Sequence, residues 1–226
     1  MALIPPKPIR IAHHIFLDIE TIPTQDKRIR NFIAESVKPP GNMKKAETIA
    51  EWEKNEKPAA IEKALEQASL DGAYNNIVCI GAAANNSEPV SFMGKEKEIL
   101  SELYAWLGER VSAGTIYVGH NIVGFDLKNI RQRSMILGIK PPHFMPFNTK
   151  PWDANPFDTM VQWDSRNFVS MDKIAMALGI RGKTGNGSEV YAMWKAEMFD
   201  AIADYCKADV ELVRKIYNRM TFADAA

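Results

Sequence analysis

Cysteine is scarce in this chain: Cys79 and Cys206 are the only two among 226 residues. Both lie in apolar surroundings, which reads as reduced thiols and excludes a disulfide-built scaffold. An excess of either charge is missing too. Lys+Arg and Asp+Glu number 28 each, which argues against bulk electrostatic attraction to nucleic acid but is compatible with a local basic surface around a metal site. No run of about 18 apolar residues occurs, so no membrane association is expected. Residues 1–8 hold prolines and a lysine but no apolar core, so a secretory signal is not expected there and a cytoplasmic location is. No G-x-G-x-x-G follows the first strand-like segment, which sets aside a dinucleotide-binding fold. The loop at 181–188 has the composition of a phosphate cradle, with Lys183 as a candidate substrate contact. It lacks the spacing of a P-loop, so nucleotide hydrolysis of that type is not supported.

What is present is a 46% hydrophobic chain long enough to bury a sizeable core. Its most informative stretch is His14-Ile15-Phe16-Leu17-Asp18-Ile19-Glu20-Thr21-Ile22-Pro23. Residues 15–19 are strand formers. In a strand Asp18 and Glu20 project to one face and Leu17 and Ile19 to the other. Two carboxylates about 7 Å apart on one face resist burial unless a cation sits between them. Pro23 is expected to end the strand.

Residues 24–70 are polar and helix-prone, divided by Pro39-Pro40-Gly41 and Pro58 into two or three helices. They read as a helical excursion of about 24–72, either a packing appendage or a lid facing the substrate. Strands at 76–84 and 90–93, joined by turn residues, complete an antiparallel meander. An amphipathic helix at 96–111 follows, with Ile99, Leu103, Trp106 and Leu107 on its stripe. A short strand at 115–118 runs into Gly119-His120-Asn121, and a helix opens near Phe125-Asp126 and closes at Gly138. Asp126 falls in the first turn of that helix, where a carboxylate is favoured by the dipole. Lys128, Arg131 and Arg133 on the same helix are either phosphate contacts or a solvated face. The last strand is expected at 156–161, with Asp158 structural, and Ser170 is expected to cap a helix ended by Gly179.

The final helix, about 199–219, has an apolar stripe of Ile202, Tyr205/Cys206, Leu212/Val213 and Ile216. Asp209 occupies the missing position of that stripe, one turn after Tyr205. A carboxylate on a buried helix face is costly unless it is paired or metal-bound.

D-x-E on the first strand, N-x(4)-D opening a helix (Asn121 to Asp126) and Y-x(3)-D on the last helix (Tyr205 to Asp209) resemble the DEDD superfamily of 3′–5′ exonucleases. The tyrosine marks the DEDDy branch. Phe16-Leu17-Asp18-Ile19-Glu20-Thr21, Gly119-His120-Asn121 and Ala203-Asp204-Tyr205-Cys206-Lys207-Ala208-Asp209-Val210-Glu211-Leu212 are similar to stand-alone exonucleases related to the proofreading domain of family-B DNA polymerases. The resemblance implies an α/β, ribonuclease H-like fold: a mixed five-stranded sheet with three antiparallel strands, flanked by helices, making 1–226 a single exonuclease domain with no polymerase domain attached.

It also implies hydrolysis of single-stranded or frayed DNA from the 3′ end, releasing nucleoside 5′-monophosphates, with two Mg²⁺ or Mn²⁺ ions as cofactors. Asp18 would bridge both ions, Glu20 and Asp209 would join the ion that activates water, and Asp126 would hold the second through water. Tyr205 would orient the attacking water, since a phenol titrating near pH 10 is a poor base. Thr21, Asn121 and Phe125 would contact substrate, and Ile22 would wedge against the terminal base. His13, His14, His120 and His143 fit no ligand spacing, and no Cys/His cluster offers a zinc site. The resemblance points to nucleic acid, chiefly single-stranded DNA 3′ ends, and names no protein partner. Two alternatives stay open: an exoribonuclease acting on short RNA, and an inactive nucleic-acid-binding protein on the same fold.

Overall fold

The computed structural model describes residues 11–150, 152–182, 185 and 187–223. Strand β1 (His14–Pro23) is the middle of a five-stranded sheet ordered β3-β2-β1-β4-β5. It pairs antiparallel with β2 (Asn75–Ala84), which pairs antiparallel with β3 (Val90–Met93). On its other side it pairs parallel with β4 (Ile116–Gly119), and β4 with β5 (Phe157–Asp158). The expected mixed sheet, with its three-stranded antiparallel half, is therefore observed.

The sheet is covered on both faces, which is why β1 reads as a nearly unbroken apolar run. Ile15, Leu17 and Ile19 face α4 (Glu96–Gly108) and α5 (Asp126–Leu137), meeting Ile99, Leu103, Leu107 and Ile130 in one core. Phe16 faces the other way, into a cluster with Ile174 of α7 (Met171–Ala177) and Val210, Val213 and Ile216 of α9 (Phe199–Met220). Ser170 caps α7 by accepting from the Lys173 amide, and Gly138 (φ 66°) closes α5, both as the sequence indicates.

The excursion between β1 and β2 forms three helices, α1 (Lys27–Ser36), α2 (Ala46–Asn55) and α3 (Lys57–Ala68), with Pro58 in the first turn of α3. Its end is tied down. The Thr21 hydroxyl and the Asn75 side-chain amide both donate to the Ser69 carbonyl, at 2.7 and 2.8 Å.

Strand β1 ends at Pro23, as expected, and reaches it through a register shift between Glu20 and Thr21, where Glu20 lies opposite Cys79 but Thr21 opposite Ile77. The extra residue in β2 turns both Val78 and Cys79 toward α9, the effect of a bulge. Two local expectations are corrected. First, the last strand is only Phe157–Asp158. The Asp158 carboxylate accepts from the Met160 amide and caps α6 (Thr159–Trp163) in its place. Second, Arg133 is neither a phosphate contact nor part of a solvated face. It is 4% exposed and forms a two-pronged ion pair with Glu96 (Nε–Oε1 2.7 Å, Nη2–Oε2 2.8 Å), while Glu96 also accepts from the Ile77 amide. This pairing locks α5, α4 and the start of β2 together. Arg131 donates to the Phe147 carbonyl at 3.2 Å.

Candidate active site

The two acids of β1 sit on the face covered by α9, near the end where the sheet opens. Asp18 is half-buried and Glu20 buried. The helix comes close because Gly81, Asp18's partner across the ladder, has no side chain: a Cβ there would lie 2.8 Å from Val210 Cγ2 and 3.0 Å from the Cys206 carbonyl. Cys206 fills the space. Its Sγ lies 3.6 Å from both the backbone oxygen and Oδ2 of Asp18. Carboxylate oxygens of Asp18 and Glu20 and this sulfur all lie within 4.8 Å of one another.

Asp126 reaches the same region from the other direction. The parallel pairing of β1 with β4 covers only His14 to Phe16. Beyond it the Asp126 carboxylate at the head of α5 comes near the Ile19 backbone, whose N–H favours its charged form. The turn that presents Asp126 is held by Asp158, which accepts from the amides of Asn121 (2.8 Å) and Val123 (3.4 Å). Asp158 is thus structural, as expected. Burial drives the Asp126 pKa well above the ordinary carboxylate range, and the charge of Asp18 adds to that rise. Asp158 is raised as well, mainly by burial.

On α9, Asp209 is 3% exposed, one turn beyond Cys206. Tyr205 is 8% exposed and packs in a cluster with Val78, Cys79 and Ile202. Gly185 lies against its ring, with 3.1 Å between a Cβ built there and the ring edge, and Gly187 lies by its hydroxyl, 3.8 Å from a Cβ built there.

The remaining sequence candidates divide. Phe125 is half-buried beside Asp126 and lines a cavity of about 680 Å³ next to Glu20, as does Thr21. The Thr21 hydroxyl is already committed to the Ser69 carbonyl, so it fixes the cavity rather than probing it. Asn121 takes a left-handed backbone (φ 57°), and its side-chain oxygen lies over Gly124. Ile22 is 1% exposed, packed with Val78, Cys79 and Cys206. The structure gives it to the core rather than to a wedge against a base. Lys183 lies outside the described residues. The histidines are structural where bonds are seen: His14 Nε2 meets the Tyr217 hydroxyl at 2.8 Å, and His120 Nδ1 meets Thr159 Oγ1 at 3.0 Å.

Cys206 is a free thiol in an apolar cluster, as expected, but the sequence reading did not foresee its contact with Asp18. The available signal was its spacing: Cys206 is three residues before Asp209 and shares its helix face. Burial, first, and the neighbouring Cys79 thiol raise its pKa, and the charges of Asp18 and Glu20 act in the same direction. The Asp18 and Glu20 carboxylates are hard oxygen donors that fit a divalent cation, with the Cys206 sulfur as the third group of the cluster; Asp126, which feels the charge of Asp18, and Asp209, on the helix face of Cys206, are not within that cluster.

Residues 70–225 match the model of a family described as predicted 3′–5′ exonuclease related to the exonuclease domain of PolB. The structure is similar to the family B DNA polymerase from the hyperthermophilic archaeon Pyrobaculum calidifontis, with 13% identity and a TM-score of 0.57 over 98% of this chain and 25% of that one. At that identity the likeness is one of fold, the ribonuclease H-like α/β arrangement, and the chain spans about a quarter of the polymerase's length. No curated protein matches the chain. Among the described residues, no helix is long and apolar enough to cross a membrane.

Proposed function

The chain belongs to the family of predicted 3′–5′ exonucleases related to the exonuclease domain of PolB, and on that premise we propose that it hydrolyses single-stranded or frayed DNA from the 3′ end, releasing nucleoside 5′-monophosphates. The observation that carries this reading is the meeting of acids from separate elements: Asp18 and Glu20 on β1, with Asp126 electrostatically linked to Asp18 from the head of α5. Helix α9 lies against the acid pair through Cys206 and brings Asp209 on the same buried face.

Asp18, Glu20, Asp126 and Asp209 are the residues that would hold two divalent cations, Mg²⁺ or Mn²⁺ by the hardness of their oxygens. When bound, such ions activate water and offset charge developing on the phosphoryl group. The chain's own groups do the positioning. Tyr205 is held between the core cluster and the glycines at 185 and 187, from where its hydroxyl would orient the attacking water. Asp158, through the Asn121 and Val123 amides, keeps Asp126 at its station.

The test is degradation of matched DNA and RNA oligonucleotides, single- and double-stranded and 5′-labelled, in Mg²⁺ and in Mn²⁺. The wild type is expected to give a ladder shortened from the 3′ end, and Asp18→Ala and Asp209→Ala to give none while remaining folded. Internal cuts, or a wild-type rate in either variant, would defeat the proposal.

A further inference from the structure

A second groove, of about 370 Å³, lies along α5. Leu127, Pro146 and Phe147 form its apolar floor, and Lys128, Arg131 and Thr149 its polar edge. At 3.6 residues per turn, Lys128 and Arg131 stand roughly 160° and 140° around the helix from Asp126. Both are exposed, whereas Asp126 is buried, so the cations lie on the side of α5 away from the acids. We propose that this groove binds the sugar–phosphate backbone of the substrate strand upstream of the scissile bond, with Lys128 and Arg131 as its phosphate contacts. The proposal rests on the exonuclease reading above and adds a second hold on the strand, outside the acid site.

The placement of the two cations is unfavourable without an anion. Lys128 and Arg131 are three apart on one helix, neighbours of like charge, and among the described residues no acid lines the groove. Neither makes an ion pair there, although Arg28, Arg110, Arg133 and Arg214 all do. Lys128 also sits in the first turn of α5, where the helix dipole disfavours a cation. An anion between the two offsets both costs, the converse of the acid pair on β1. The Arg131 guanidinium is anchored as well. Its Nη1 donates to the Phe147 carbonyl at 3.2 Å, which holds it over the floor with its other N–H groups available to fork a phosphate. The apolar floor suits the carbon edge of a deoxyribose, so the groove accommodates both halves of a backbone unit. Beyond Thr149 the chain adds Lys150, its ammonium 5.7 Å from the ring centre of Trp152, and Trp152 is 68% exposed. Asp153, the acid of this segment, is taken up by the Lys150 amide, which donates to it at 2.8 Å. A bare indole beside cations is the combination that holds an unpaired base and its backbone. Because Asp126 and the two cations share α5, the groove is fixed relative to the acids.

The experiment compares the full chain as wild type, as Lys128→Gln/Arg131→Gln, and as the control Lys44→Gln/Lys45→Gln, which removes two exposed cations elsewhere. Binding of a long, labelled single-stranded oligonucleotide is followed by fluorescence anisotropy in EDTA, so that no cleavage intervenes, over a series of salt concentrations. Each phosphate contact to a single strand contributes about 0.7 to the salt slope. The groove variant should therefore lose about 1.4 of the slope and bind about 25-fold more weakly at about 0.1 M salt. The control should keep the wild-type slope. Cleavage in Mg²⁺ gives a second reading. A dinucleotide without a 5′ phosphate carries only the scissile phosphate and has none to place in the groove. The preference for the long strand over the dinucleotide, as a ratio of kcat/KM, should fall about 25-fold in the groove variant and hold in the control. The substituted side chains are exposed, so loss of fold is not an outcome to be confused with these. A wild-type slope in the groove variant, or an equal loss in the control, overturns the groove as a backbone site. So does polyglutamate that binds more tightly than the strand and loses that binding in the groove variant, which would give the groove to an acidic protein. Groove-dependent binding by a protein that shortens no oligonucleotide overturns the exonuclease reading and leaves the groove standing.

Discussion

Gly81→Ala isolates the contact that brings α9 onto the acid strand. The glycine is directly across the ladder from Asp18, and an added Cβ would meet Val210 Cγ2 at 2.8 Å and the oxygen and Sγ of Cys206 at 3.0 Å each. Carbon atoms rest about 3.5–4.0 Å apart, so the valine methyl must retreat by roughly 0.7–1 Å. A side chain could swing aside, but the Cys206 carbonyl at 3.0 Å is backbone, so the helix itself has to shift by at least a few tenths of an ångström. Overpacking of this kind costs about 1–3 kcal/mol. Against it stands the ordinary gain of about 0.4–1 kcal/mol when alanine replaces glycine at a permissive position. The cost wins, and for a domain of this size each kcal/mol lowers Tm by about 2–4 °C. The functional effect should be larger than the thermal one. That displacement moves Tyr205 and Asp209 relative to Asp18, and since a 1 Å misplacement is worth on the order of 100-fold in rate, a loss of roughly 5- to 100-fold is expected. Thermal unfolding and the single-strand degradation assay read the two effects separately. Gly81→Ala/Val210→Ala should recover little of the rate, because removing the valine methyls leaves the carbonyl contact in place. A Gly81→Ala protein with wild-type Tm and wild-type rate would refute the claim that this glycine sets the height of α9.

Two further outcomes follow from the site. Tyr205→Phe keeps the ring packed against Val78 and Cys79 and removes only the hydroxyl, so the rate should fall on the order of 10- to 1000-fold with stability little changed; an unchanged rate would remove Tyr205 from the chemistry. Asp126→Asn should make the metal-free protein more stable at neutral pH, because the folded-state pKa of Asp126 is raised by burial and by Asp18. The sign is that of a group that binds its proton more tightly when folded: its stabilising effect is full below the unfolded carboxylate pKa, about 3.9, and is lost as pH rises through the folded value. Urea denaturation of wild type and Asp126→Asn should therefore show a stability gap that closes on acidification toward pH 4, and a gap that widens there would contradict the burial of this charge.

The readable part of the fold consists of patterns interrupted by one polar residue. Ile202, Tyr205/Cys206, Leu212/Val213 and Ile216 define the buried stripe of α9, and Asp209 breaks it at a single position, so the anomaly is visible without a structure. Asp18 and Glu20 are visible for the same reason, at the period of a strand. The illegible part consists of residues whose role is set by a partner far along the chain. Arg133 looks like any surface cation on a helix until α4 brings Glu96 to it across 37 positions. Ile22 follows the acids closely enough to suggest a place at the substrate, yet the bulge at Glu20/Thr21 turns Val78 and Cys79 onto the α9 side, where Ile22 packs with them. A bulge leaves no mark in apolar periodicity, because it adds one residue to β2 rather than changing the character of any residue in β1. Helix α3 is the strongest case. Its composition describes a solvated appendage, and the Lys63, Glu66 and Gln67 face carries no apolar signal at all. What turns that face into a cavity wall is the Ser69 carbonyl, held by a hydroxyl 48 residues earlier in the chain. A backbone carbonyl is the same in every residue, so the bond that places the insertion beside the acids is one that side-chain chemistry could not have announced.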